Sequence, residues 1–307
     1  MNICLFNPGH NGDILSCLEF VKIFINSNPF LKFRLSVTCS THLLLDFLNE
    51  NVTLELHPNI WNIDNRNIQI TNNNDDEGNF ILSLYDTLWK VKNNTIYINM
   101  WQLFTKDKKN YFILSDRIEF VLKTLNEINQ KMGTSIVFNC NNYKELIPIL
   151  PNYDINSIKD TLLSFNMKLV FYYNILYNNY NYDDNMIQFL LDSFSDSIVI
   201  VPKKSNINNP RLLSLETNFN ILPKLDGSNL IIGAAIANLC TDVYIKNSGG
   251  SLFVLNQKNI ENKKIKYIYL STNDEFDCTD TYIRSSKTNI EIFKTEYGIN
   301  CEILLVT

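Results

Sequence analysis

The chain opens with an apolar run, Ile3 to Phe6, then the turn Asn7-Pro8-Gly9-His10-Asn11-Gly12, then Asp13 and a helical pattern from Ile14 to about Asn26. A strand that passes through a glycine loop into a helix marks a parallel α/β unit, because parallel neighbours can be joined only by a crossover. Within the helical stretch the polar residues Asp13, Ser16, Glu19, Lys22 and Asn26 recur every three or four positions. That spacing leaves one wet stripe and predicts a helix lying against a sheet. The alternation continues with a β-rich run from Phe33 to Cys39, a helix around His42 to Asn49 and a third run from Thr53 to Leu56. This order, βαβαβ, predicts a parallel sheet covered by helices.

Farther along, Thr95 to Asn99 reads as a strand, Ser115 to Met132 as an amphipathic helix, Ser135 to Phe138 as a strand and Asn72 to Gly78 as a polar loop. The pattern breaks around Pro148, Pro151 and Asn152, and the stretch to Asn166 reads as a connecting region. A second round then begins: strand Lys168 to Tyr173, helix Asp184 to Ser193, strand Ser197 to Val201, a loop rich in Asn and Lys, and helix Ser228 to Leu239. Strand Asp242 to Ile245, a loop ending Asn247-Ser248-Gly249-Gly250, a short helix from Ser251 and strand Ile265 to Leu270 complete it. Tyr282 to Val306 holds a helix and a strand of ambiguous period. The expectation is an α/β chain of two Rossmann-like domains, 1–155 and 156–307, facing each other across a cleft at the carboxyl ends of their strands.

Composition narrows the function. Hydrophobic residues make up 45% of the 307 and charged residues 19%, which excludes a disordered chain. A net charge of -5 gives no general attraction to phosphate backbones, so nucleic acid is not an expected partner and any phosphate must be bound locally. Apolar stretches such as Leu230 to Cys240 fall short of the roughly 20 residues a bilayer span needs. The start lacks a basic segment and a small-residue cleavage site, so a cytoplasmic location is expected, with peripheral contact to a membrane left open. Seven cysteines without a C-x-x-C pair and three histidines argue against a disulfide framework or a metal cage, and no metal or other cofactor is expected. No Asp-x-Asp triplet, no G-x-x-x-x-G-K-[ST] and no G-x-S-x-G occurs, which disfavours metal-dependent nucleotide-sugar enzymes, P-loop proteins and α/β-hydrolases. Asparagine, at roughly 15% of the chain, far exceeds an ordinary share and reads as compositional drift.

The first loop is the strongest candidate site. Its backbone N–H groups and the helix dipole suit an anion or a reacting hydroxyl. Gly9 and Gly12 are followed by Ile14 and Leu15, which is not the dinucleotide pattern. Asp13 equally suits an N-terminal cap. The run NPGHNGDILSCLEFVKIFINSNP resembles the amino-terminal signature of the heptosyltransferase-like (family 9) GT-B glycosyltransferases, in which a Gly-Asp pair opens the first helix. The resemblance implies a GT-B fold and an inverting transfer with Asp13 as general base, taking the proton of the acceptor hydroxyl as it attacks. The loop residues Gly9, His10, Asn11 and Gly12 then fall on the acceptor side. The implied partners are a nucleotide-sugar donor and a glycan, glycolipid or glycoprotein acceptor.

The second candidate is CTDVYIKNSGGSLFVLNQ, where Asn247, Ser248, Gly249, Gly250 and Ser251 suit a diphosphate cradle; a Gly-rich turn without function is the alternative. It is similar to the family-9 region in which an acidic residue, a small hydroxyl residue and Gly precede a His, but Asn247 replaces the acidic residue and no His follows. Tyr173, Asn174, Lys203 and Asp226 are donor-side candidates by topology, with Lys203 or Lys204 offsetting diphosphate charge or forming a solvated tip. His42 and the aromatic run Tyr97 to Trp101 suit either the acceptor side or the core. A nucleotide-sugar epimerase or hydrolase of the same fold and a non-catalytic nucleotide- or glycan-binding protein remain open alternatives.

Overall fold

The computed structural model describes residues 2–9, 11–57, 62–64, 67–69, 76–105, 114–173, 184–222, 224, 226–246, 253–262, 267–272 and 290–306. The chain divides into two compact units, Met1–Pro148 with Leu225–Gly227, and Ile149–Lys224 with Ser228–Thr307. Relative to the expected division at 155, the segment from Ile149 to Ile155 groups with the second unit, and Asp226 and Gly227 group with the first. The His42 N–H donates to the Asp226 carbonyl at 3.1 Å. Gly227, at φ +77, lies so close to Ser40 that a methyl group on it would stand 2.8 Å from the Ser40 Oγ.

The first unit contains β1 (Asn2–Asn7), α1 (Asn11–Ser16), α2 (Leu18–Ser27), β2 (Lys32–Val37), β3 (Val52–Leu56), β4 (Asn62–Asp64), β5 (Asn67–Gln69), α3 (Asp76–Ser83), β6 (Trp89–Lys92), β7 (Thr95–Asn99), α4 (Met100–Thr105) and α5 (Leu114–Met132). Its main sheet runs β3-β2-β1-β7-β6, parallel except for the β6–β7 pair. Ile3, Cys4, Leu5 and Phe6 are fully buried on the central strand, as a strand covered on both faces requires.

The second unit contains α6 (Asn156–Ser164), β8 (Lys168–Tyr173), α7 (Asp184–Ser193), β9 (Ser197–Val201), β10 (Leu212–Ser214), α8 (Leu215–Phe219), α9 (Ser228–Ala237), β11 (Asp242–Lys246), α10 (Gln257–Glu261), β12 (Tyr267–Thr272) and β13 (Cys301–Val306). Its sheet, β10-β9-β8-β11-β12-β13, is parallel throughout. Helix α9 is apolar on all sides, with Leu230, Ile231, Ile232, Gly233, Ala234, Ile236 and Ala237 buried, the composition of an interior helix. Two parallel α/β units therefore form the chain.

Local departures have local causes. The single helix expected from Ile14 to Asn26 breaks at Cys17. The Asp13 carbonyl, which would receive the Cys17 N–H, accepts instead from the Ser16 Oγ at 2.8 Å and the Asn7 Nδ2 at 3.1 Å, while the Cys17 N–H turns to Ile14. Such side-chain competition ends helices. The helix expected from His42 is a 3-10 turn, Thr41–Phe47. Ser135 to Phe138 joins no sheet, because asparagine side chains take its backbone: Asn28 clamps Val137 on both its N–H (3.0 Å) and its carbonyl (2.8 Å), and Asn129 does the same for Ile136. Of the polar loop expected from Asn72 to Gly78, residues 72–75 lie outside the described residues and Asp76 begins α3; the connecting region holds α6, and the Asn- and Lys-rich loop holds β10 and α8.

Candidate functional site

The carboxyl edge of the first sheet is organised by one buried asparagine. Asn7 ends β1 with 0% exposure. Its Oδ1 accepts the Gly9 N–H at 2.8 Å, and its Nδ2 donates to the Asp13 carbonyl at 3.1 Å and the Cys17 sulfur at 3.5 Å. The Gly9 carbonyl accepts the Thr38 hydroxyl at 2.6 Å, so the loop is tied to the end of β2 as well. A methyl group built on Gly9 would lie 2.7 Å from both the Cβ and the Oδ2 of Asp13 and 2.9 Å from the Asn7 Oδ1. The half-buried Asp13 carboxylate thus rests over bare backbone in the first turn of α1, where unpaired N–H groups favour an anion.

Around it stand groups that the sequence did not single out. Asn99 ends β7 fully buried and donates to the carbonyls of Leu84 (3.2 Å) and Tyr85 (2.9 Å), while its Oδ1 accepts the Gln102 N–H at 3.1 Å. These bonds hold Tyr85, whose ring meets Trp101 at 4.7 Å. Burial, then the charges of Asp13 and Asp86, push the Tyr85 phenol above its usual range, so Tyr85 is close enough to feel Asp13. Burial raises the Cys17 thiol to about 12, with Arg117 opposing and Asp13 adding. Burial likewise raises Cys39 to about 11, again with a contribution from Asp13. Both thiols stay protonated at neutral pH and cannot serve as nucleophiles. Arg117, near the start of α5 and only 6% exposed, brings a guanidinium into the same neighbourhood. Asn7 and Asn99 lay hidden in the chain's general excess of asparagine. A buried Arg on a helix has no sequence signature beyond its place on the apolar stripe.

The other expected residues are distributed differently. Of the aromatic run, Tyr97 is core: its hydroxyl donates to Glu77 at 2.7 Å and accepts from Arg34 at 3.0 Å. Tyr173 ends β8, but its ring is fully buried against Phe171 and Gly233, and its hydroxyl has no hydrogen-bond partner. It packs in the interior of the second unit instead of presenting an edge to a ligand. Lys203 is half-buried after β9, and the exposed Lys204 donates its backbone N–H to Glu216 at 3.0 Å. Asp226, expected with the second domain, groups with the first unit through its carbonyl. His10, Asn174, Asn247, Ser248, Gly249, Gly250 and Ser251, and the side chain of Asn11, lie outside the described residues. Among the described residues no cluster of His, Cys, Asp and Glu is arranged to hold a metal, and no helix is long and apolar enough to cross a membrane.

No protein-family model matches the chain, and no curated protein matches it. Among solved structures it is similar to the E. coli heptosyltransferase WaaC with ADP, at 12% identity and a TM-score of 0.41, over 95% of this chain and 99% of that one. It is similar to a glycosyl transferase family 9 protein from Veillonella parvula, at 11% identity and a TM-score of 0.46, over 100% of this chain and 87% of that one. A Listeria monocytogenes protein described as a UDP-N-acetylglucosamine 2-epimerase matches at 9% identity and a TM-score of 0.42, over 94% and 82%.

Proposed function

We propose that the chain is an inverting, metal-independent glycosyltransferase of the GT-B type, moving a sugar from a nucleotide-sugar donor to a glycan, glycolipid or glycoprotein acceptor. The observation that carries this reading is the Asp13 carboxylate, half-buried over the side-chain-free backbone of Gly9 at the carboxyl edge of a parallel sheet. That position gives an oxygen nucleophile access to a fixed carboxylate, and ligands of open parallel sheets collect at this edge. The resemblance of the surrounding run to the family-9 signature supports the same role.

In the proposed reaction an acceptor hydroxyl attacks the anomeric carbon while Asp13 takes its proton, and the bond to the nucleoside diphosphate breaks in the same displacement. General-base assistance of this kind contributes roughly a hundred- to ten-thousand-fold. Asn7 is a positioning residue, since it holds the Asp13 carbonyl and the Gly9 N–H. The first unit takes the acceptor and the second the donor, with residues 247–251 on the diphosphate and Lys203 offsetting its charge. The test begins with a thermal-shift series of nucleoside diphosphates and their sugars, because a ligand of the folded state raises the melting temperature by mass action. Acceptor-dependent release of the diphosphate that binds then establishes transfer. Silence across the UDP, GDP, ADP, CMP and dTDP series refutes the donor half of the proposal.

A further inference from the structure

The turn that follows α3 is held by buried amides. The Tyr85 carbonyl accepts from the side chains of Asn99 and Gln102, both at 2.9 Å, while the Tyr85 N–H donates to Leu82 at 3.0 Å and the Thr87 N–H to Leu84 at 2.8 Å. What these bonds fix in place is an aromatic pair. The ring of Trp101, in the first turn of α4, lies 4.7 Å from that of Tyr85 between centroids and is tilted by 31°, and both side chains are half-buried. Trp101 backs one face of the Tyr85 ring, so what Tyr85 shows to solvent is its other face and its edge.

The pair belongs to the same sheet edge as Asp13. Phe6 and Asn99 are partners in the β1–β7 register, so Asn7 and Asn99 end neighbouring strands side by side. The Cys17 thiol donates to the carbonyl of Met100, the residue before Trp101, at 3.6 Å. After burial, it is the charges of Asp13 and Asp86 that push the Tyr85 phenol up, which places both carboxylates near the ring.

A ring face between two carboxylates selects its ligand. The face attracts polarised C–H groups through its quadrupole, and the carboxylates accept hydroxyl protons but repel anions. A nucleotide phosphate meets two negative charges here. The Arg117 guanidinium, near enough to act on Cys17, offsets part of that charge and so disfavours a cation as well. A pyranose meets both demands, because one side of its ring carries hydrogens on carbon while its rim carries hydroxyls.

We infer that the Tyr85 face, backed by Trp101, is the platform on which the acceptor's sugar ring rests while its attacking hydroxyl lies at Asp13. The acceptor nucleophile is then a ring hydroxyl of a saccharide with one open C–H face, as opposed to the hydroxyl of a protein side chain or a lipid alcohol. This inference rests on the reading of Asp13 as the base, and it uses the ring of Tyr85 and not its hydroxyl.

The test reads contact without turnover. Aromatic protons of the full chain are saturated, and transfer to the C–H hydrogens of methyl β-galactoside, methyl β-glucoside, methyl α-mannoside and N-acetylglucosamine is recorded by nuclear magnetic resonance. The same spectra are taken for Tyr85→Phe, Tyr85→Leu, Trp101→Leu and Asp13→Asn. The expected result is saturable transfer to one ring face of at least one sugar, kept in Tyr85→Phe and Asp13→Asn and weakened about tenfold in Tyr85→Leu. Trp101→Leu, which removes the backing ring, is expected to weaken it several-fold and carries the test if Tyr85→Leu does not fold. No transfer to any of these sugars, transfer unweakened in both leucine variants, or a loss in Tyr85→Phe equal to that in Tyr85→Leu overturns the platform. Contact by adenosine, uridine or choline with none by the sugars also overturns it. Failure of Asp13 as the base shows differently, as unchanged turnover in Asp13→Asn with the sugar contact intact.

Discussion

The carboxylate of Asp13 lies over the Cα of Gly9, where a methyl group would stand 2.7 Å from its Oδ2. No real Cβ tolerates such a distance, so either the helix start or the loop must move when position 9 gains a side chain. Gly9→Ala is therefore expected to destabilise the chain by about 1–3 kcal/mol, the range for overpacking, and to displace Asp13. Urea unfolding measures the first effect and transfer activity the second. A variant of unchanged stability and turnover would show that the loop has slack which the distances deny.

Asn7 holds the same loop by hydrogen bonds instead of contact. Asn7→Ala leaves the Gly9 N–H and part of the Asp13 carbonyl's bonding unmet inside the protein, a loss of about 1–3 kcal/mol. Asn7→Asp keeps the acceptor toward Gly9 but loses the donor toward Asp13 and buries a charge. It is expected to be the less stable of the two at neutral pH and to recover as acid neutralises it. Denaturant midpoints at two pH values decide the order.

The fold was legible in the sequence because buried strands such as Ile3 to Phe6 and Ser197 to Val201 are short apolar runs bounded by polar turns, too short for a buried helix. Asp13 was legible for a similar reason: a glycine loop followed by an acid at a helix start is a local signal. Asn7 and Asn99 were not. Their importance lies in bonds across the sheet edge, and one asparagine in a chain so rich in them looks like any other. The break at Cys17 has no local signal in the sequence, because it depends on Asn7 competing, from another element, for a helix carbonyl. The burial of Tyr173 is not legible either, because a strand end reads as an edge in the sequence, whereas α9 with its bare Gly233 packs against the ring.

Tyr173 offers a test with an unusual sign. Its hydroxyl is buried without a partner, and burial holds the phenol far above its usual range. Tyr173→Phe removes an unsatisfied group and keeps the ring, so stability is expected to hold or rise by up to about 1 kcal/mol. Nucleotide affinity is expected to stay unchanged. Weaker nucleotide binding in the variant would return Tyr173 to the donor site.

Alkaline pH should weaken the fold before most surface groups respond. Burial raises Cys4 and Cys39 from 9.0 to about 11, Cys17 from 9.0 to about 12, and Tyr97 from 10.0 to about 12. Each group is neutral in both states below its ordinary value. Above that value the unfolded chain ionises first, so stability is lost from about pH 9 upward until the folded values are passed. Unfolding free energies measured from neutral to alkaline pH are expected to fall across this window. In the same range the buried thiols are expected to resist a thiol reagent until the chain unfolds. Flat stability through pH 11 would contradict the burial of these groups.

Whether Asp13 acts as the base is tested by acceptor-dependent release of nucleoside diphosphate from Asp13→Asn beside the unaltered chain. The carboxamide keeps the size of the side chain and accepts no proton. Turnover is expected to fall by about a hundred- to ten-thousand-fold, with melting temperature and nucleotide binding preserved. Turnover equal to that of the unaltered chain would remove Asp13 from the mechanism and leave it as an acidic residue in the first turn of its helix.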